Sequence, residues 1–444
     1  MKHLFLFMLA VIVMAPAFPQ PENEAVLSAG PMVGYSTMKE IMVWLQTKES
    51  AEVFITYADV EDPGQRFHSE PQVTSADRAF VAKVIVPVSP GRKYSYEVLI
   101  DGEKLEFPYP LEFQSQELWQ WRHDPPDLLF ATGSCNYDNE LLLDRPGEPY
   151  GADHFIFKSM LEKDPDFMVW MGDNNYLREA DWNSRTGILH RYSYNRAMPE
   201  LQPFLASVHH YATWDDHDYG PNNSDRSYGM KEVTLETFKL FWANPEYGPG
   251  GGVSFTFSWG DVQFFMMDNR YFRTPNNLVT ENREMFGKQQ LQWLIDALSV
   301  SQAPFKFIVT GGQVLNPVTA PWTENYAKYQ EEQNALFDAI RGNNITGVFF
   351  LTGDRHMAEL ARMEREGTYP FYDLTVSPLT AGPDKGRRKD EQNIYRVPGT
   401  YYGERNFALL EVNGPRKSRT LKITLCDSFG EEVWSRTIHE DELK

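Results

Sequence analysis

The sequence predicts a layered α/β domain that follows a smaller all-β sandwich. Three observations carry this prediction. Short alternating strands fill about the first hundred residues, apolar strands alternate with amphipathic helices after them, and the length of 444 residues suits two domains or one domain with an annex. Hydrophobic residues make up 42% of the chain, which is enough for a packed core and excludes disorder over most of it.

The first twenty residues differ from the rest and predict a secretory signal peptide over residues 1–20. A basic start at Lys2 precedes an apolar run at residues 4–13 and small residues at Ala15 and Ala17. A buried N-terminal helix is the alternative, and this flanking pattern disfavours it. The run is too short to anchor a protein in a bilayer. We therefore expect an exported protein, periplasmic or extracellular, without a transmembrane anchor.

Residues 21–122 are predicted to form the all-β domain. Short runs such as residues 40–45 mix apolar and polar side chains in alternation, and turns such as residues 62–64 separate them. This spacing is typical of a β-sandwich of the immunoglobulin or fibronectin type. A segment rich in tryptophan and proline ends the sandwich, and residues 123–444 are predicted to form the second domain.

Six apolar runs of the second domain each end in a cluster of polar residues. The runs are residues 128–131, 167–171, 211–214, 262–267, 307–310 and 348–351. Because they are continuous, we expect strands with helices on both faces of their sheet. The predicted helices are residues 153–163, 231–242, 288–299 and 331–341, and the predicted closing hairpin or meander is residues 407–412 and 421–425. Ligands of such folds bind beyond the carboxyl ends of the strands, so the clusters predict one shared cleft.

The polar clusters are rich in side chains that bind metal ions. They contain Cys135, Asp173, Tyr176, Asp215, Asp216, His217, Asp218, Asp354 and His356. So many carboxylates at one rim need cations to balance their charge. A Gly-Asp pair after a strand is as often a turn as a ligand, so neither Gly172-Asp173 nor Gly353-Asp354 is specific alone. Their occurrence together at strand ends predicts a metal site.

The charge of the chain limits its partners. Lys and Arg number 42 against 62 Asp and Glu, which gives a formal net charge of −20 at pH 7. Nucleic acids and anionic membranes are bound through dense Lys and Arg, so the composition argues against an extended nucleic-acid surface. An anionic substrate needs a local positive centre. Arg270 and Arg355 are candidates for it, with Arg178 nearby, or they are ion-pair partners of the same carboxylates.

Taken together, the motifs resemble the PhoD-like alkaline phosphatase and phosphodiesterase family, a branch of the metallophosphoesterase superfamily related to purple acid phosphatases. The matching positions are Ser134 and Cys135, residues 172–176, residues 213–218, Asn222 and Asn223, residues 268–270, and residues 353–356. The resemblance covers the chain after the signal peptide, because this family also has a β-sandwich before its catalytic domain. It implies a metallophosphoesterase-type α/β sandwich and an alkaline phosphatase D-like hydrolase of phosphomonoesters and phosphodiesters.

The resemblance also implies a two-metal site. The set implied for Fe³⁺ is Cys135, Asp173, Tyr176 and His356. The set implied for the second ion is Asp173, Asp216, Asp354 and either Asn222 or Asn223. A phenolate and a thiolate call for a strongly charged ion, and an all-oxygen set suits Ca²⁺, Mg²⁺ or Mn²⁺ better than Zn²⁺. Asp354 stands where the superfamily usually has the first His of a Gly-His-x-His motif.

For catalysis, the resemblance implies that a metal-bound hydroxide attacks phosphorus in line. His217 follows a ligand-type Asp, as the His of the superfamily's Asn-His pair does, and is expected to protonate the departing alkoxide. Arg270 and Asn223 are the other candidate catalytic residues. The predicted export makes an external small-molecule or polymer phosphoester the expected substrate. Phosphodiesters are expected to react at least as well as monoesters, at neutral to alkaline pH.

Other interpretations remain at this point. One is a catalytically inactive, secreted polymer-binding protein on the same fold, against which the complete set of candidate ligands argues. Another is a strict phosphomonoesterase. A glycosyltransferase using the acidic motif at residues 215–218 is disfavoured by the signal peptide, because nucleotide donors are scarce outside the cytoplasm. Cys135 and Cys426 either pair in a disulfide or have separate roles.

Overall fold

The computed structural model describes residues 26–444. The signal peptide predicted over residues 1–20 lies outside the described residues. Within residues 26–444, no helix combines the length and the apolar character that crossing a bilayer requires.

The first nine strands form two antiparallel sheets, so the predicted all-β N-terminal part is confirmed. One sheet has the order β1-β2-β6 and the other β4-β3-β7-β8, with β5 paired to β3 and β9 to β7. Their bounds are β1 (Leu27–Ser36), β2 (Glu40–Thr47), β3 (Glu52–Asp59), β4 (Asp62–His68), β5 (Gln72–Val73), β6 (Val81–Pro87), β7 (Lys93–Ile100), β8 (Glu103–Lys104) and β9 (Glu112–Gln114). Val43 and Val84 of one sheet share a buried core with Ile55 and Val98 of the other, as alternating strands of a sandwich do.

Two six-stranded sheets form the second part of the chain, and the predicted layered α/β sandwich is confirmed. Their orders are β12-β11-β10-β19-β20-β21 and β13-β14-β15-β16-β18-β17. The strands are β10 (Leu128–Gly133), β11 (Phe167–Met171), β12 (His209–Thr213), β13 (Phe255–Trp259), β14 (Val262–Met266), β15 (Lys306–Thr310), β16 (Val348–Thr352), β17 (Glu359–Met363), β18 (Phe371–Thr375), β19 (Asn406–Asn413), β20 (Thr420–Asp427) and β21 (Glu432–His439). Strands β10 to β12 are mutually parallel, as are β14, β15, β16 and β18. The closing strands β19 to β21 form the predicted meander.

In the part of the chain that the structure describes, seven α-helices join the strands and pack against these sheets. Their bounds are α1 (Ile156–Leu161), α2 (Arg185–Arg196), α3 (Gln202–Ser207), α4 (Asp216–Tyr219), α5 (Lys231–Phe241), α6 (Lys288–Val300) and α7 (Gln330–Gly342). The four predicted helices correspond to α1, α5, α6 and α7. The 3₁₀ turns are Ala76–Arg78, Pro199–Leu201, Tyr326–Tyr329 and Glu440–Leu443.

The expectation of helices on both faces of a single sheet is wrong, because the two sheets pack against each other. Phe167 of β11 and Phe264 of β14 lie with ring centroids 5.4 Å apart across the interface. The next side chain of β11, Met168, instead packs in a separate core with Phe157 of α1. Strand β11 therefore buries one face against a sheet and the other against helices, which gives the same continuous apolar run as two helical layers.

Candidate metal centre

The polar clusters at the strand ends meet where the two sheets face each other. Asp215 follows β12 of the first sheet, and Asn269 follows β14 of the second. Asn269 Nδ2 donates to Asp215 Oδ1 at 2.8 Å, which joins the two loops directly. The acidic cleft, as we name this space, has a volume of about 330 Å³ and is lined by Asp173, Asp216, His217, Asp354 and His356 together with neighbouring residues.

Three glycines allow these loops to approach one another closely. A Cβ on Gly311 would lie 2.3 Å from Asp215 Cγ, and a Cβ on Gly353 would lie 2.4 Å from Ser134 Oγ. Gly172 has φ +95°, and its Cβ would lie 2.7 Å from Asp215 Cβ. Any larger residue would force the acidic loops apart, so the close packing around the site requires glycine at these three positions.

Asp173 lies at the centre of the acidic cluster, the name that we use for Asp173, Asp215, Asp216 and Asp354 with the side chains that contact them. Its Oδ2 accepts from Tyr176 Oη at 3.2 Å and from Cys135 Sγ at 3.5 Å. Its Oδ1 accepts from the backbone N–H of His217 at 3.2 Å. Ser377 Oγ lies 3.2 Å from Cys135 Sγ on the other side of the sulfur. One carboxylate therefore connects the thiol and phenol to helix α4, which holds His217.

Among residues 26–444, three groups of side chains have ligand atoms within 4.8 Å of one another, and all three contain Asp173. They are Cys135, Asp173 and His356; Asp173, Asp216 and His217; and Asp173, Asp215 and Asp354. The predicted iron ligands are thus brought together, with Tyr176 bonded to Asp173 beside them. Asp216 and Asp354 also lie around Asp173, each in a different group. The arrangement fits two cations that share one carboxylate.

Several of these side chains come from residues in a left-handed backbone conformation. The φ angles are +60° at Cys135, +51° at Asp173, +69° at Asp354, +55° at His356 and +62° at Asn223. Such conformations cost about 1–3 kcal/mol each in residues other than glycine, and they concentrate at functional sites. The backbone is therefore in this conformation at four of the seven predicted metal ligands.

Burial leaves Asp173 and Asp354 of this cluster short of positive charge. Burial, followed by the nearby Cys135 and Asp216, raises the pKa of Asp173 well above its usual range. Burial and Asp215 raise the pKa of Asp354 to about 6. Oδ2 of Asp215 and Oδ1 of Asp216 are buried and accept no hydrogen bond within residues 26–444. Bound cations would supply both the missing charge and the missing partners.

His356 is oriented as a metal-binding histidine usually is. Its Nδ1 lies 2.7 Å from the Gly382 carbonyl oxygen, which can only accept a hydrogen bond. Nδ1 therefore carries the proton, and Nε2 keeps its lone pair for an ion. The His356 backbone N–H donates to Ser377 Oγ at 2.8 Å, so the same serine supports both His356 and the Cys135 sulfur.

His217 lies at the edge of the acidic cluster. Its ring stacks on Tyr176 with centroids 4.2 Å apart, and it is only partly buried. Burial lowers the pKa of His217 even though the charge of Asp216 opposes that shift. A ligand atom of His217 also falls in one of the groups around Asp173. The position suits a proton donor at the mouth of the cleft, and metal analysis must separate that role from ligation.

Asn222 and Asn223 are both exposed and both line the acidic cleft. The backbone N–H of Asn223 donates to Asp216 Oδ2 at 2.6 Å. Burial raises the pKa of Asp216, but His217, Arg270 and this N–H together hold it below its usual range. Asn223 thus positions Asp216 through its backbone, and the choice between the two amide side chains as a ligand stays a prediction.

Arg270 does not line the acidic cleft. It is fully buried, and it forms ion pairs with Asp215 and, at 2.8 Å, with Glu324 Oε2. This placement supports the alternative role, as a partner of the carboxylates, because the buried guanidinium pairs with carboxylates. Its Nη2 also lies 3.7 Å from Asp216 Oδ1. Glu324 also pairs with Arg273 at 3.3 Å.

The other two candidate arginines are likewise in ion pairs. Arg355 lines the cleft, but its Nη2 bonds both carboxylate oxygens of Glu391, at 2.8 and 2.6 Å. Arg178 is buried, and its Nε lies 3.3 Å from Asp144 Oδ1. Neither is a free positive centre for substrate in this structure.

Sequence reasoning missed several residues that line the cleft. They are Tyr150, Trp322, Glu324, Arg387 and Arg388. A signal existed for the two arginines, because residues 385–389 form a basic run in a chain of net charge −20. Tyr150, Trp322 and Glu324 lie in loops without periodicity, and nothing in their neighbouring sequence distinguishes them from ordinary surface residues.

The two cysteines are both free and buried, so the disulfide alternative is wrong for this structure. Cys426 lies on β20 and packs in the core that β10 to β12 share with their helices. Cys135 belongs to the acidic cluster described above.

Comparison with known proteins identifies related chains and folds. Residues 146–413 match the model of the PhoD-like phosphatase family, and residues 24–117 match a domain of unknown function, DUF7800. Alkaline phosphatase D of Bacillus subtilis (strain 168) is 23% identical over 283 residues, which are 52% of this chain and 46% of that protein. The chain therefore spans about half the length of this relative.

Two solved structures share the fold of this chain. A structure of PhoD superposes with a TM-score of 0.74 at 15% identity, covering 96% of this chain and 90% of that one. A purple acid phosphatase, PPD1 from yellow lupin (Lupinus luteus) seeds, superposes with a TM-score of 0.65 at 12% identity, covering 92% and 74%. The family model matches residues 146–413, which are more than half of this chain, so this chain belongs to the PhoD-like phosphatase family.

Proposed function

We propose that this chain is a metal-dependent hydrolase of phosphoesters. The observation that carries the proposal is the sharing of Asp173 by three groups of potential ligands. One adds the Cys135 thiol and the His356 imidazole, and the other two add the carboxylates of Asp216, Asp215 and Asp354 and the imidazole of His217. Two ions held close together can stabilise both the attacking and the leaving oxygens of a displacement at phosphorus. Membership of the PhoD-like phosphatase family supports the same activity.

The first ion is proposed to be Fe³⁺, held by Cys135, Asp173, Tyr176 and His356. Burial raises the pKa of the Cys135 thiol to about 11 and places the pKa of Tyr176 well above its usual range. A bound ion of high charge would hold both groups in their deprotonated forms. The pairing of a phenolate with a thiolate is the reason for proposing ferric iron rather than a divalent ion at this position.

The second ion is proposed to be Ca²⁺, or Mg²⁺ or Mn²⁺. The side chains proposed to hold it are Asp173, Asp216, Asp354 and one of Asn222 and Asn223. All of them bind through oxygen, which the hard cations prefer. When bound, the two ions would polarise the phosphoryl group and lower the pKa of a water molecule.

His217 is proposed to donate the proton that the leaving group needs. Hydrolysis joins the oxygen of water to phosphorus, breaks the bond from phosphorus to the alcohol oxygen, and returns one proton to that oxygen. Stacking on Tyr176 holds the His217 ring at the mouth of the acidic cleft. Asn223 also lines this cleft and is retained as a candidate contact for the phosphoryl group.

The proposed substrates are external phosphoesters, with phosphodiesters hydrolysed at least as well as monoesters. The predicted signal peptide supports export to the periplasm or beyond. A diester carries one negative charge where a monoester carries nearly two, and the cleft is rich in acidic groups within a chain of net charge −20. Arg387 and Arg388 line one side of the cleft, but both pair with Asp384, at 3.7 and 2.8 Å, so they offset little of this charge.

The ester preference is tested with bis(4-nitrophenyl) phosphate and 4-nitrophenyl phosphate, assayed with calcium present at neutral to alkaline pH. We expect kcat/KM for the diester to equal or exceed that for the monoester, because the second charge of the monoester is harder to accommodate. A clear preference for the monoester would contradict the diesterase proposal and leave a metal-dependent phosphatase. Failure to hydrolyse either ester would support the inactive, polymer-binding alternative.

The iron site predicts a visible absorption band that Tyr176→Phe removes or shifts. A phenolate bound to Fe³⁺ gives a charge-transfer transition, and phenylalanine has no oxygen to bind. Tyr137→Phe is the matched control. The Tyr137 ring lies 5.1 Å from the Tyr176 ring, but the Tyr137 hydroxyl donates to Asp144 at 2.9 Å and not to Asp173. An unchanged spectrum in Tyr176→Phe, together with zinc as the bound metal, would contradict the iron assignment.

A further inference from the structure

A second cavity opens beside the acidic cleft. It has a volume of about 590 Å³, which lies within the range of sites that enclose small organic ligands. Its aromatic wall consists of Tyr137, Tyr150, Tyr176 and Trp182, and we name it the tyrosine cavity. The proposed metal ligands and proton donor leave most of this space without a role.

The aromatic wall is held in place by its own contacts. The Tyr137 ring lies 4.8 Å from that of Tyr150, edge to face, and 5.1 Å from that of Tyr176. The guanidinium carbon of Arg178 lies 3.8 Å from the centroid of the Tyr137 ring. Tyr137, Tyr176 and Arg178 are all buried. The part of the wall that Tyr137 and Tyr176 form is therefore in place in advance of any ligand, which reduces the entropy that binding would cost.

The tyrosine cavity joins the acidic cleft at His217. Tyr150, His217 and Asn222 line both spaces. A proton donor must lie next to the departing oxygen. If His217 is that donor, the alcohol attached to this oxygen extends toward His217, where the tyrosine cavity opens. The phosphoryl group then remains among the carboxylates of the acidic cleft.

The charges around the tyrosine cavity limit what it can hold. Its charged lining residues are Asp144, Arg145, Glu148, Arg178 and Glu179. Both cations are paired with carboxylates, Arg178 with Asp144 at 3.3 Å and Arg145 with Glu179 at 3.3 Å. Acidic groups thus outnumber basic groups by one in this lining, which disfavours a second anionic group on the alcohol.

We infer that the tyrosine cavity binds the leaving alcohol of the ester and selects a neutral alcohol that carries a planar aromatic ring, such as a nucleoside. Stacked or edge-on contacts with tyrosine and tryptophan favour planar rings over flexible polyols of similar size. This inference rests on the proposed function. It adds the chemical class of the leaving alcohol and places that alcohol on the side of His217 where the tyrosine cavity opens.

The test compares Trp182→Ala with Trp322→Ala. Trp182 lines the tyrosine cavity, whereas Trp322 lines the acidic cleft and is 72% exposed. The substrates are the methyl esters of adenosine 5′-phosphate and of glycerol 3-phosphate, assayed for release of adenosine or glycerol, which are both primary alcohols. We expect the wild-type chain to prefer the adenosine ester in kcat/KM by about tenfold, Trp182→Ala to lower this preference about fivefold or more, and Trp322→Ala to keep it within about twofold.

Binding of adenosine alone to the metal-loaded chain, measured by calorimetry, requires no turnover. Trp182→Ala should weaken it about fivefold to tenfold, and Trp322→Ala should not. Equal hydrolysis of both esters, or adenosine binding that is unaffected by Trp182→Ala, would overturn the inference and leave the phosphoesterase proposal intact. If neither ester is hydrolysed, the proposed function fails, and the adenosine measurement alone decides whether the cavity binds aromatic alcohols.

Discussion

Asp173→Asn is expected to abolish metal binding and to lower phosphoester hydrolysis by roughly 10³-fold or more. Every group of potential ligands in the acidic cluster contains Asp173. Asparagine has nearly the same shape, but it carries no charge and its amide nitrogen cannot bind a cation. The amide oxygen can still bind one ion, but the second ligand oxygen and the negative charge that both ions share are lost. Metal content of the purified variant and its rate with bis(4-nitrophenyl) phosphate are the two measurements.

Asp166→Asn is the matched control for this substitution. Asp166 precedes β11, whereas Asp173 follows it, so the two carboxylates lie at opposite ends of one strand. Asp166 Oδ2 accepts from the backbone N–H of Leu129 at 2.8 Å, and its Oδ1 accepts from Gln114 at 2.7 Å. Asp166→Asn is therefore expected to affect stability and to keep both metals. A metal-loaded, active Asp173→Asn would contradict the bridging role.

His217→Ala is expected to lower the rate by roughly 10²- to 10⁴-fold while both metals stay bound. The loss should be larger for alkyl esters than for 4-nitrophenyl esters, because an alkoxide needs protonation more than a nitrophenolate does. Rates with both ester types and metal content are measured on the same preparation. An equal loss for both ester types would argue against a proton donor.

Loss of metal in His217→Ala would instead place His217 among the ligands, which its position near Asp173 and Asp216 permits. Tyr176 provides the comparison, because its ring stacks on His217 and its hydroxyl bonds Asp173. Tyr176→Phe keeps the ring that stacks on His217 but removes the hydroxyl. If only the stacking matters for metal binding, this variant should keep both metals. The two variants together separate proton transfer from ligation.

The sequence predicted the acidic residues of the site best where a potential metal ligand directly follows an apolar strand. Gly172-Asp173 and Gly353-Asp354 follow apolar runs, and the carboxyl ends of those runs meet at one edge, so the main acidic residues could be placed together. Which sheet each run joins could not be predicted. A strand buried between a sheet and helices is as apolar as one buried between two helical layers, and Phe167 and Met168 illustrate the two environments.

Helix α2 is present in the structure but is not among the four helices predicted from the sequence. Much of its length is polar, so its apolar periodicity is weak, and only Ile188 and Tyr192 among its apolar side chains are buried. A local signal was present, because Ser184 accepts from the backbone N–H of Gly187 at 3.0 Å as an N-cap. Cap chemistry therefore marks this helix better than hydrophobic pattern does.

The role of Arg270 depends on contacts between loops that are distant in sequence. An arginine after an Asp-Asn pair is equally compatible with binding substrate and with supporting acidic residues. Its partner Glu324 lies more than fifty positions later in an irregular loop, and the pair forms only because both loops reach the same edge. The left-handed conformations of Cys135 and His356 likewise follow from how their loops are packed.

A crystal structure of the protein purified without chelators, with anomalous diffraction recorded at the iron edge, tests the two-ion centre most directly. The predicted result is an iron peak among Cys135, Tyr176 and His356 and a second ion among Asp216 and Asp354, with the carboxylate of Asp173 contacting both. A single ion that leaves Asp173 bound on one side only, or a centre that contains zinc and no iron, would contradict it.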